Sequence, residues 1–382
     1  MKRSLPINID VLKWSRESMG LSIEDVATKL KKEISVVASW EDGSESPTYA
    51  QLEYLAYNLF KRPVAVFFFP DVPKEDSPKT DFRTLPDTII DALPSEIIKL
   101  YRKSKVFQLN IEELYEGRQP STQSILNKFS LNNSKSISDL VEEIRNFLGI
   151  SFEDQFSWQS FDQALKNWRN LLEQNGIFIF KDAFKNDNYS GFCVYSKMYP
   201  IIYLNNSMSF SRQIFTVFHE LAHLLLHKGG IDFRDCNPLL YSDKAHRDYE
   251  IKCNQFANEF LVPSIAFDKE NLIISEKGFD KLAEKYSVSK EVILRKCLDR
   301  KKIDDIYYKK MTKKWQDDFS AYIKKDKPGG NYYYTHISYL GDNYINLAFS
   351  KYYQNKISVE NLSEFLNIKI KNIGTLEHYV FN

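Results

Sequence analysis

Histidine is scarce in this chain, with 6 residues in 382. Cysteine is scarcer still. The four cysteines, Cys193, Cys236, Cys253 and Cys297, are scattered without a CxxC pair, which argues against a thiolate zinc site or a disulfide frame and for reduced thiols. An excess of one charge is also missing. With 52 Lys and Arg against 51 Asp and Glu, any affinity for nucleic acid or acidic lipid has to be local. The longest apolar runs, such as 64–69 (VAVFFF), are far too short to span a bilayer, and the opening MKRSLPINID lacks the apolar core of a signal peptide. Together these absences read as a cytoplasmic protein with no membrane partner. What is present is a globular composition, 43% hydrophobic and 27% charged, over a length that calls for about two to four domains.

Two of the six histidines fall in one short motif. The stretch 209–228, SFSRQIFTVFHELAHLLLHK, places His219, Glu220 and His223 in the HExxH pattern. Chance should produce on the order of 0.01 such matches at this composition. Phe210, Ile214, Phe218, Leu221 and Leu225 recur at spacings of three and four, which predicts a helix, and Gly229-Gly230 reads as its C-cap. On that helix both imidazoles leave one face a turn apart and can grip a single zinc ion, with Glu220 beside the open coordination position. That is the layout of a metallopeptidase. Glu220 is then the catalytic carboxylate, taking a proton from water and passing it to the leaving amine.

A catalytic zinc site needs a third protein ligand. His227 lies four residues beyond His223, but three successive turns of a straight helix do not wrap easily onto one tetrahedral ion, and no HExxHxxGxxH spacing is present. A carboxylate on the following helix serves better. That helix is YEIKCNQFANEFLVP (249–263), and Glu250 stands at its start, with Asp243, His246 and Asp248 as rivals. Ahead of the motif, 177–180, 191–195 and 201–204 read as short strands, the last two as a hairpin. An edge strand beside a metal suits an extended peptide held by main-chain hydrogen bonds. Tyr203, Tyr249 and His246 are candidates for stabilising a developing oxyanion.

The first 70 residues read as five short helices, two of them opened by capping-box-like residues at Ser22–Asp25 and Thr48–Gln51. Ala27, the 35–40 helix and the WEDG-x-x-x-PT segment of 40–48 resemble a lambda-repressor-like (XRE-type) helix-turn-helix. Charge does not favour DNA there. Residues 1–70 hold nine basic and nine acidic side chains, and the second helix offers Ser35, Val36, Val37, Ala38 and Ser39 to a groove. Recognition of a protein therefore competes with recognition of DNA. Pro70, Pro73 and Pro78 stiffen the connector that follows.

HELAHLLLH followed by E-x-x-C-N-x-F-A-x-x-F-L-V-P resembles the ImmA/IrrE family of metallopeptidases, whose long form joins an XRE-type domain to the peptidase. The resemblance implies a zincin-like, gluzincin-type core with His219, His223 and Glu250 as zinc ligands and Glu220 as the catalytic carboxylate. It also implies a protein substrate, a regulator such as an XRE-type repressor or an antitoxin. Cys253, where a small Ala is usual, and Val262, where Met is common, depart from the family's pattern.

The expected fold class is α+β and mostly helical, in four parts. These are an XRE-type domain at 1–75, a helical connector at 76–160, a zincin-like core with a small sheet and the HExxH helix at 161–265, and a mainly helical region at 266–382. The last begins with a helix-turn-helix-like cadence, FDKLAEKYSVSKEVILRKCL (279–298). Residues 295–327 carry twelve basic against six acidic side chains, interleaved with Tyr307, Tyr308 and Trp315, the best nucleic-acid patch in the chain. DKPGGNYYY (326–334) reads as a turn and an aromatic strand, and 358–366 as a short helix. The function expected is that of a zinc endopeptidase controlling transcription by cleaving a regulator. The alternative is a non-catalytic DNA-binding regulator with a peptidase-like sensor domain.

Overall fold

The computed structural model describes residues 5–75, 78–82, 89–90, 92–121, 124–132, 136–233, 244–322 and 330–381. Contacts divide the chain into two compact units, 1–105 and 106–382. Among the described residues no helix is long and apolar enough to cross a membrane.

The first unit opens with Ile9–Glu17 (α1), Ile23–Leu30 (α2), Ile34–Asp42 (α3) and Tyr49–Tyr54 (α4). α4 runs on into a π-turn at Leu55–Phe60, and a 3-10 helix spans Val64–Phe68. Both capping boxes form, Ser22 with Asp25 and Thr48 with Gln51. They satisfy amide groups that the first turn of a helix leaves without partners. α3 stops at Gly43, whose φ of +80° is a left-handed conformation costly for a side-chain-bearing residue. Val11, Val26, Val37, Trp40, Leu52 and Phe67 close one small apolar core. Within it Arg16 on α1 is buried and held by both carboxylate oxygens of Glu41 on α3.

Helix Ser95–Leu114 (α5) leads into the second unit. There Ile137–Leu148 (α6) and Phe161–Gln174 (α7) precede strands Phe178–Asp182 (β1), Tyr189–Val194 (β2) and Ile201–Asn205 (β3). Phe210–Leu225 (α8), Gly230–Phe233 (β4) and Lys244–Leu261 (α9) follow. The sheet order is β1-β3-β2-β4, with β1 parallel to β3 and β2 antiparallel to both β3 and β4. One sheet face lies on α8. Its Ile179, Cys193, Ile202 and Leu204 join α6, α7, α8 and α9 in an apolar core that extends to Met311. The other face carries Phe180, Phe192 and Tyr203; Phe107 stacks on Phe180, Phe192 stacks on Tyr203, and Tyr344 meets Phe180 edge-on.

The longer helices that follow are Glu276–Tyr286 (α10), Lys290–Asp299 (α11), Asp305–Tyr322 (α12), Tyr332–Leu340 (α13), Asp342–Tyr353 (α14), Val359–Phe365 (α15) and Ile373–Phe381 (α16). α13 covers the outer edge of β1, where buried Arg169 donates to Ile179 O and to Ser338 O and pairs with Glu173. Two local expectations are corrected here. The aromatic run 332–334 is helix rather than strand, because the Asn331 side chain accepts the Tyr333 and Tyr334 amides and starts a turn that aromatic strand preference does not override. Gly229-Gly230 is not the C-cap of α8 either. That helix ends at Leu225 with Leu226 as its cap, His227 takes the left-handed conformation (φ +58°), and Gly230 opens a fourth strand.

Candidate metal centre

α8 is held at its start by Ser209, which accepts the Arg212 amide, and from Thr216 to Leu225 every residue is buried. A buried helix can carry polar side chains only if something satisfies them. Two of those side chains meet a third from α9, which packs along α8. His219 Nε2 and His223 Nε2 lie 3.2 Å apart, and each is 3.3 Å from a carboxylate oxygen of Glu250. One ligand atom from each of His219, His223 and Glu250 falls within 4.8 Å of the others. The turn-apart spacing on α8 brings the imidazoles together. The packing of α9 brings the carboxylate.

His219 is fixed from behind. Its Nδ1 lies 3.1 Å from Asn254 Oδ1, so Nδ1 carries the proton and donates it, and Nε2 is left with its lone pair toward the cluster. Asn254 sits one turn after Glu250, so one face of α9 supplies both a ligand and the partner of another ligand. Both oxygens of Glu220 are buried without a hydrogen-bond partner of ordinary geometry, with the Cys193 thiol flanking the carboxyl. Lone pairs crowded at 3.2–3.3 Å in a dry site are what a divalent cation resolves. Two imidazole nitrogens and one carboxylate oxygen form a donor set of hydrolytic zinc sites, so the residues present fit such an ion.

The electrostatics of the four groups are coupled. Burial pushes the Glu220 carboxyl up to about 7, opposed by the two histidines and assisted by Asp232. Burial works against charge on His219 and His223, yet Asp232 and Glu250 hold His219 above its ordinary value, and Cys253 and Glu250 hold His223 well above it. Glu250 responds in the opposite sense. Burial raises it, but His223 and His219 outweigh burial and keep it far below the usual carboxylate range.

The sheet holds this helix at a fixed height. β4 passes so close to His223 that a Cβ on Gly230 would lie 2.6 Å from the ring carbons Cγ and Cδ2. β4 is in turn anchored to α8 by Asp232, which accepts from Thr216 Oγ1 at 2.7 Å and from Arg212 at 2.9 and 3.0 Å. Arg212 also donates to Ser190 Oγ on β2 and to Phe233 O. Nothing in the sequence marked Asp232 or Cys193. Gly230 was visible only as half of a glycine pair, and Asn254 only as a position of the motif that begins at Glu250.

The other residues singled out by sequence lie elsewhere. His227 is exposed beyond the helix end, and Asp248 is exposed on α9. His246 is buried one turn before Glu250, 3.8 Å from its Oε1, and lies outside the three-residue cluster. Asp243 and Cys236 fall outside the described residues. Tyr203 is buried on the sheet face away from α8, while Tyr249 is half-buried with the Lys228 ammonium 3.6 Å from its ring centre. Cys253 is buried beside His223, and its thiol is raised by that burial.

Residues 172–298 match the family model of the IrrE N-terminal-like domain, Peptidase_M78. This domain belongs to the ImmA/IrrE metallopeptidase family. The match begins at the end of α7 and runs through the sheet, α8, β4, α9 and α10 almost to the end of α11, so it contains the whole cluster. No curated protein matches the chain. Beyond the peptidase domain's core, the basic stretch 295–327 is partly consumed internally. Lys296 is buried against Glu259, Arg300 pairs with Asp268, Arg295 with Asp299 and Lys314 with Glu276.

Proposed function

We propose that the chain is a zinc-dependent endopeptidase that cleaves another regulatory protein, an XRE-type repressor or an antitoxin, and so controls transcription. The observation that carries this reading is the convergence of His219, His223 and Glu250, with the Glu220 carboxyl buried next to them. When bound, the ion supplies Lewis-acid polarisation of a carbonyl and water activation near neutral pH. His219, His223 and Glu250 would hold it. Glu220 would accept the proton of the attacking water and return it to the leaving amine, a role open to it because its oxygens meet no donor stronger than the flanking Cys193 thiol. Asn254 keeps His219 in the tautomer that ligates.

A polypeptide substrate is favoured by the sheet. β4 is a terminal strand of the sheet and touches His223 through Gly230, so an extended chain added beside it would run past the cluster. The first unit supports an XRE-type helix-turn-helix in the order of α2 and α3 and in the capping box that opens α2. α3 begins with exposed Ile34 and Ser35 and carries no Arg or Lys, which suits docking of a protein better than reading of a groove. The buried free thiols Cys193, Cys253 and Cys297 suit a reducing cytoplasm.

Metal analysis of the purified full chain tests the reading. The wild type and Glu220→Gln should each hold about one zinc ion per chain, and Glu250→Gln should lose it. Wild-type protein without metal, coupled with salt-sensitive DNA binding in a gel shift, would instead establish the non-catalytic regulator.

A further inference from the structure

The peptidase reading leaves one buried cation unused. Among the described residues, six basic side chains are nearly excluded from solvent: Arg16, Arg62, Arg145, Arg169, Lys181 and Lys296. Five have partners. Arg16 is paired with Glu41, Arg62 with Glu75, Arg169 with Glu173 and Lys296 with Glu259, while Arg145 donates to Gln155 and to the carbonyls of Phe260 and Ser151. Lys181, at 6% exposure, makes no hydrogen bond or ion pair. A buried ammonium without a partner is costly and calls for a counter-ion.

Topology places this ammonium at an anion-binding position. β1 and β3 are parallel, with Lys181 level with Leu204, and after Asn205 the chain turns into α8. Lys181 therefore lies at the carboxyl end of a parallel pair, where a sixteen-residue helix begins. Its Nζ is 6.0 Å from the ring centre of Phe210, the first residue of that helix. Amide groups of a first helical turn lack partners within the helix and carry partial positive charge. Crevices at the carboxyl ends of parallel strands, next to a helix start, bind anions in many α/β proteins.

The charges around the position nearly cancel, apart from the partial positive charge of the helix start. Arg169 also faces Lys181, but Glu173 neutralises it, and Asp162 at the start of α7 is the acid that acts on Lys181 from outside. Burial and then Arg169 pull the Lys181 ammonium down to about 8, and Asp162 does not restore it. We propose that Lys181 and the N-terminus of α8 form a binding site for a small oxyanion, a phosphate or a carboxylate. The site is independent of the metal cluster. His219 lies nine residues along the same helix, about 13 Å away on its axis, so a bound anion would fix the opening turn of the helix that carries the metal ligands.

The test is a titration of the full chain, as purified, with inorganic phosphate and separately with acetate, read by calorimetry and by melting temperature at constant ionic strength with chloride as control. One of the two should bind saturably and raise the melting temperature. Preference for phosphate or for acetate assigns the class of anion. Lys181→Met should weaken that affinity by about tenfold or more, while Lys181→Arg retains it. Lys181→Met should also melt higher than wild type without anion, since it removes an uncompensated buried charge. The same anion response in wild type and Lys181→Met, or no saturable response in wild type, would overturn the proposal. Lys181→Gln provides the same comparison if the methionine variant does not fold.

Discussion

Replacing Gly230 by alanine perturbs the metal cluster without touching any of its ligands. The added Cβ would lie 2.6 Å from Cγ and Cδ2 of His223 and 2.9 Å from Nε2, where ordinary contact begins at 3.4 Å. Something must yield by about 0.8 Å. The strand is not free to do so, because Gly230 is paired with Cys193 of β2 and Asp232, two residues on, is clamped by Arg212 and Thr216. The imidazole has little freedom either, being fully enclosed between β4 and α9. Overpacking of this kind costs about 1–3 kcal/mol of stability. Metal geometry is less forgiving, since ligands have to be held to within about 0.5 Å. Gly230→Ala should therefore lower zinc affinity by about 10-fold to 100-fold, the scale found when the support of a ligand is disturbed. Competition against a chromophoric chelator measures the affinity, and thermal unfolding of the metal-free protein measures the strain. Wild-type affinity in a normally folded Gly230→Ala protein would refute the claim that β4 sets the position of His223.

Three further outcomes are expected. Asn254→Ala frees His219 Nδ1 and should cost about 10-fold to 100-fold in metal affinity with little change in the fold, as read by chelator competition and circular dichroism. Asp232→Ala leaves Arg212 without its carboxylate, and denaturant unfolding should show a loss of about 3 kcal/mol, the low end for a broken buried pair because about a quarter of the Arg212 side chain is exposed. The metal-free protein should respond to pH through its raised histidines. His219 and His223 bind protons more tightly folded than unfolded, so their contribution to stability is present below about pH 6.5 and is lost as pH rises through the folded values. Zinc displaces those protons, so the stabilisation that it adds should grow over the same rise in pH, as scans with and without metal would show.

Much of the fold was legible because its signals are local. The spacing of Phe210, Ile214, Phe218 and Leu225 marked α8, the hydroxyls of Ser22 and Thr48 marked helix starts, and the alternation around 191–204 marked the hairpin. Where reading failed, the deciding contact was distant. Gly230 follows a helix and precedes the short stretch Ile231-Asp232-Phe233, and only the proximity of the His223 ring explains why a glycine opens a strand there. The tyrosines at 332–334 favour a strand by type, but the Asn331 cap starts a helix that covers β1. The cluster itself divides in the same way. His219, Glu220 and His223 stand together on one helix, whereas Asp232 and Lys181 acquire meaning only once the sheet is folded.

The central claim is that Glu220, beside a metal held by His219, His223 and Glu250, cleaves a regulatory protein. Its most direct test is a quantitative comparison of proteolytic fragments in paired cells that differ only in carrying the wild-type chain or Glu220→Gln at equal abundance. A regulator cut at a defined bond in the wild-type cells and intact in the Glu220→Gln cells is the predicted result. Equal processing of that regulator in both would contradict it.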